Sequence, residues 1–250
     1  MSSKHEADLR ALSVIRLDTP DWIPADLRAR LESHEAAFRA AEFRDDIKDG
    51  SWYRDLEAAL QDAANGRSVI AYHCTREFEP GEIARRGLRV LRDCHSHRAE
   101  VFERVAANFT SDQRIQINNR LAQVQHDDRY TQGRENGLFF ALVHPRHWGE
   151  AGCGELLGTY GGEVVYSVWG RRGPIVDRLR TIGQPAVVHF QLDPTLIKGF
   201  ADYPVGQTAM WARHTQLRPD VRNYWCEGRT TVDVPPSDIV SVENWSPGDA

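Results

Sequence analysis

His73, Cys74 and Thr75 close a short β-prone run over 68–73 and are followed by a helix-prone segment ending in Gly87-Leu88. An imidazole at a strand end can hydrogen-bond a hydroxyl, and exposed backbone beside it can pair with an amide. Further along, Gly137-Leu138-Phe139-Phe140-Ala141 reads as a strand. An aromatic face there can stack on a flat heterocycle, while alternation sends at least one of the two Phe rings to the core. Tyr160 and Tyr166 are the other candidates for stacking. Late in the chain, Glu227 follows Trp225-Cys226 and precedes a β-prone run that ends at Pro235-Pro236. A carboxylate fixed at the start of a strand stabilises positive charge that develops beside it. Glu163, after Tyr160-Gly161-Gly162, is a rival carboxylate read as a strand-start residue.

Other constellations say less. The segment before Glu227 interleaves aromatics with arginine: Tyr203, Trp211, Arg213, Arg218, Arg222 and Tyr224. Such a surface stacks on and neutralises nucleic acid, or grips a protein; a long structured loop packed on the core is the alternative. Trp211, Arg213 and Arg222 are the residues expected to carry such a contact. Cys94-His95-Ser96-His97 is a poor match to zinc-ligand spacing, and His144 and His147 have no evident partner, so no metal is expected. The chain has no G-x-S-x-G elbow, no phosphate-binding Walker loop and no G-x-G-x-x-G fingerprint.

The ordered set His73/Thr75, Phe139 and Glu227 resembles the three motifs of the ADP-ribosyltransferase superfamily, and within it the diphtheria-toxin and poly(ADP-ribose)-polymerase branch described as H-Y-E. Phe139 stands where that pattern has Tyr. The resemblance covers about 67–245 and is carried by the short segments quoted. It implies an α+β fold with a split antiparallel sheet, and an enzyme that transfers ADP-ribose from NAD, a glycosyltransferase with NAD as substrate. His73, Cys74 and Thr75 would hold NAD, with Phe139, Tyr160 or Tyr166 against nicotinamide and Glu227 as the catalytic carboxylate. The acceptor would be a protein or nucleic acid, and the setting that of a toxin or defence effector. Two rivals stand beside it. One is a ligand-binding module of the same fold without catalysis, which the Phe at the Tyr position favours. The other is a ribonuclease-like toxin using His73 with a second histidine.

The elements that must position these residues follow from pattern. Helices are expected over 26–45 and 52–64, with a short one over 80–86 and a helix-prone stretch over 95–130. Strands are expected at 68–73, 88–91, 137–143, 163–169, 186–192, 225–234 and 239–242, with a helix at 174–179. Strands and helices do not alternate, which disfavours a doubly wound parallel sheet. Residues 1–66 read as a helical N-terminal extension and 67–250 as the catalytic domain. The 250 residues carry a net charge of −5, four widely spaced cysteines and no apolar run long enough to cross a bilayer. Of the 31 basic residues only Lys4, Lys48 and Lys198 are lysine. The polar N-terminus lacks the apolar core of a signal peptide, so free thiols in a cytoplasmic protein without membrane association are expected.

Overall fold

The computed structural model describes residues 14–124, 133–147, 153–170, 172–199, 201–220 and 226–246. The fold is α+β, with one six-stranded sheet and ten α-helices among these residues. Strand β1 (Val14–Ile15) runs parallel to β2 (Ser68–Glu77); every other pairing is antiparallel. With β3 (Leu138–Ala141), β4 (Gln184–Leu192), β5 (Glu227–Thr230) and β6 (Ile239–Asn244), the order across the sheet is β5-β3-β2-β4-β6. The ladder from β2 to β4 is continuous from Val69↔Leu192 to Glu77↔Gln184. The join between β2 and β3 is a single register pair, Tyr72↔Ala141. The sheet is therefore firmly knit on one side of β2 and barely closed on the other.

Side-chain alternation explains both faces. Val69, Ala71, Leu138, Phe140, Val188 and Phe190 belong to the main core. That core is covered by α1 (Ala25–Ser33), α2 (Glu35–Ala40), α3 (Ser51–Ala64) and α10 (Pro204–Leu217). In α3, Tyr53, Leu56, Glu57, Leu60 and Ala64 form the buried stripe that helical periodicity predicts. Gly206 lets α10 lie directly on it, since a Cβ at that position would sit 1.9 Å from the Glu57 carbonyl oxygen. On the opposite face, Ile70, Tyr72, Cys74, Ala141 and Val187 pack against Cys153 and Leu157 of α7 (Cys153–Gly158).

A third cluster joins α5 (Cys94–Arg104), α6 (Ser111–Val124), α8 (Glu163–Trp169) and α9 (Pro174–Leu179). Arginines fasten these helices by donating to main-chain carbonyls. Buried Arg98 donates through Nε to Val164 O at 2.6 Å. Arg76 on β2 donates to Ile182, Leu157 and Gly183 O at 2.7–2.8 Å. The remaining helix is the short α4 (Glu82–Arg86). Among the described residues, no helix is long and apolar enough to cross a membrane.

Several expectations need correction. Residues 163–169 form a helix, not a strand. Gly162 and Gly170, at φ 69° and 77°, break the chain on either side, and Val164, Val165 and Val168 bury one helical face. Their burial, with Val164 and Val165 in the third cluster, overrides the β-propensity of the three valines. The helix expected over 26–45 is broken at His34, whose ring stacks on Trp52 at 3.9 Å. Residues 88–91 contribute only the isolated bridges Leu88↔Val234 and Leu91↔Gly137. The helices read as an N-terminal extension dock on the remainder of the chain, with Ile15, Leu27, Phe38 and Leu56 in the same cluster as Val69 and Phe190.

Candidate active site at the split in the sheet

The narrow join between β2 and β3 brings together residues from distant parts of the chain. Beyond Tyr72↔Ala141 no further pair links the two strands, and the His73 ring lies against the exposed backbone of β3. His73 Nδ1 is 2.8 Å from the Phe139 carbonyl oxygen. A carbonyl only accepts, so Nδ1 carries the proton and donates. In the neutral ring Nε2 then holds a lone pair able to accept from a hydroxyl. Burial lowers the His73 pKa, and the Phe139 carbonyl offsets part of that. His73 lies within β2 rather than at its end, since the strand runs on through Thr75 to Glu77.

Phe139 is the hub of a second group. The Arg134 guanidinium lies 4.5 Å from the Phe139 ring centroid, and that of Arg229 lies 5.9 Å away. Arg134 donates to Glu227 Oε1 at 3.1 Å and pairs with Glu163 Oε2 at 2.7 Å. The register explains the grouping: Phe139 faces Arg229, and Ala141 faces Glu227, so Phe139, Glu227 and Arg229 share one side of the sheet. Gly137 leaves room for this packing, since a Cβ there would meet the Arg229 side chain at 2.7 Å. His73 and Thr75 alternate to the other side of β2. Phe139 thus links the sets, with its ring under Arg134 and its carbonyl on His73.

The arrangement offers an aromatic face, a carboxylate at its edge and an imidazole acceptor at the split. A flat delocalised cation already occupies the first two, which is the environment that binds one. Arg134 is a functional candidate that the sequence does not reveal, standing as one arginine in a polar stretch. Glu163 joins the site through Arg134, from the start of a helix rather than of a strand.

Other expected site residues lie elsewhere. Cys74 is buried against α7, its Sγ 2.8 Å from Cys153 Sγ. Tyr160 is buried in the third cluster, its ring 5.7 Å from that of Phe78. Tyr166 lies on α8, the helix whose first residue, Glu163, pairs with Arg134. The segment expected as an acceptor loop contains α10 instead. Trp211 is buried in the main core and Arg213 pairs with Glu35 of α2 at 3.4 Å, so both serve packing of the N-terminal helices. Arg222, with Tyr224 and Trp225, lies outside the described residues. His144 does have partners, Glu243 and His189. No family model matches the chain, and no curated protein or solved structure matches it.

Proposed function

We propose that the chain is an ADP-ribosyltransferase of the H-Y-E type, built on a split antiparallel sheet and using NAD as its substrate. The observation that carries this reading is the planar cation held on the Phe139 face by the Glu227 carboxylate. A pyridinium ring joined to ribose, and the positive charge that spreads over the ribose as that ring departs, make the same demand on a site. Phe139 supplies the π face and Glu227 the fixed negative charge, with His73 Nε2 as acceptor for a ribose hydroxyl. The glycosidic bond breaks, nicotinamide leaves with the bonding pair, and an acceptor nucleophile bonds to the ribose carbon and loses its proton. The acceptor is a macromolecule, a protein or a nucleic acid. With Trp211 and Arg213 in packing roles, it meets the chain elsewhere than on α10.

The same arginine favours a second reading, a ligand-binding module without turnover, in which Arg134 keeps Glu227 neutralised. Nicotinamide release from NAD separates the two. Glu227→Gln should cut release by roughly 10²–10³-fold while the melting temperature stays within a few degrees. Release that persists undiminished in that variant removes Glu227 from the chemistry. No release by the wild-type chain, with cell lysate as acceptor source, leaves the binding module.

A further inference from the structure

His144 stands just after β3, His189 in the middle of β4 and Glu243 near the end of β6. The three come from separate segments, yet both imidazoles direct Nε2 at the same carboxylate oxygen, Glu243 Oε2, at 3.1 Å each. All three ligand-type atoms lie within 4.8 Å of one another. Tyr72 supports the pair from below, its ring edge-on to His144 at 5.1 Å and to His189 at 5.0 Å. Trp245 stacks on His144 from another side.

We infer that His144, His189 and Glu243 form a binding site for one divalent transition-metal ion of the zinc class. The ligand set, two neutral imidazoles and a carboxylate, is one that Zn²⁺ takes in three-ligand sites with a position left for water. Bonds of ~2.0–2.1 Å at tetrahedral angles separate ligand atoms by ~3.3 Å, close to the two 3.1 Å spacings present. The rings are held by packing on Tyr72 and Trp245, so little ordering is left to bear on binding. Glu243 keeps 27% of its side chain exposed, which gives a path for the ion and for a water ligand.

Two features set the strength of the site. The Arg146 side chain pairs with Glu243 Oε1, leaving Oε2 to ligate, and its positive charge opposes the ion. Half of that side chain is exposed, so it can move into water. The Arg146 amide donates to His144 Nδ1 at 3.2 Å. When Nε2 of His144 ligates, the ring proton moves to Nδ1 and that hydrogen bond is lost, a cost of about five- to tenfold in affinity. An ion here joins β6 and the segment after β3 to β4, and its binding does not rest on the proposed reaction.

The test is a titration of the full chain with Zn²⁺ against a chromophoric chelator. One equivalent should bind, and His189→Ala and Glu243→Gln should each weaken binding by at least ~100-fold, beyond what loss of an outer partner costs. Arg146→Ala should tighten binding several-fold, an effect that a purely hydrogen-bonded cluster would not give. Cys153→Ser should bind as the wild type does, which excludes the Cys74–Cys153 thiols as the site. Melting temperatures of the metal-free variants check folding, with His189→Asn as the milder replacement should His189→Ala not fold. Equal Zn²⁺ affinity in wild type, His189→Asn and Glu243→Gln, or loss of binding in Cys153→Ser, overturns the assignment.

Discussion

Arg134 gives the sharpest way to probe the site. In the ligand-free chain it covers Phe139 and neutralises Glu227, so a cationic ring that stacks on Phe139 must first displace it. Replacing Arg134 by Ala removes the competitor. The Arg134 side chain is 31% exposed, with Glu227 at 15% and Glu163 at 40%. Part-exposed ion pairs contribute about 0.2–1 kcal/mol each, and the cation on Phe139 about 0.5–1 kcal/mol. On the proposed reading the displacement therefore costs NAD about 1–3 kcal/mol, which is about 5- to 150-fold in binding. Arg134→Ala should lower the KM for NAD by that factor in a nicotinamide-release assay and leave kcat within a few-fold. Calorimetric binding to an Arg134→Ala/Glu227→Gln double variant separates affinity from turnover. A raised KM would show that Arg134 is itself an NAD contact. An unchanged KM would show that the Phe139 face is not where the ring binds, and would refute the reasoning.

Three further outcomes are expected. His73→Ala should weaken NAD binding about tenfold through loss of one hydrogen bond, and unaltered affinity by calorimetry would remove His73 from the site. Gly206→Ala should destabilise the chain by about 1–3 kcal/mol and lower the melting temperature by about 3–10 °C, because the new methyl would strike the Glu57 carbonyl; an unchanged Tm would show that α3 and α10 can part at no cost. Burial pushes the Glu57 pKa up to about 7 from an ordinary 4.5. The unfolded chain then loses its proton first as pH rises, so stability falls between about pH 4.5 and 7, by about 3 kcal/mol in all, and levels off above. Denaturant titrations across that window should show the fall in wild type and a flatter profile in Glu57→Gln, and parallel profiles would remove Glu57 as its source.

Much of the framework is legible in the sequence because one pattern governs it. The apolar run in β4, the aromatic strand β3 and the one-sided stripe of α3 each point to a single structure. Elsewhere local pattern and tertiary context disagree. Helix α8 reads as a strand because Val164, Val165 and Val168 are β-branched, and only their burial, with Val164 and Val165 in the third cluster, decides otherwise. Helix α10 hides its periodicity by being buried nearly all round, from Pro204 through Trp211, so no polar face marks it. The candidate site divides in the same way. His73, Phe139 and Glu227 stand next to recognisable strand signals. Arg134 and Glu163 become functional candidates only through contacts across the fold. His189 is the residue a closer look at pattern could have found, since it interrupts the apolar run between Val188 and Phe190. Its partner Glu243 lies on β6, and nothing local to either residue announces the pairing.

The long ladder between β2 and β4 has a consequence for how the chain is made. β2 leaves the ribosome more than a hundred residues before β4, its only continuous neighbour among the described strands. Helix α3 waits longer still for α10, the partner that Gly206 seats against it. Pairings so distant in sequence form late and slowly, and until then one edge of an apolar strand stays open on a growing chain. A ribosome stalled between β3 and β4 would hold a product whose central strand has β1 and the N-terminal helices but neither its long ladder nor the cover from α10, an early target for chaperones and proteases.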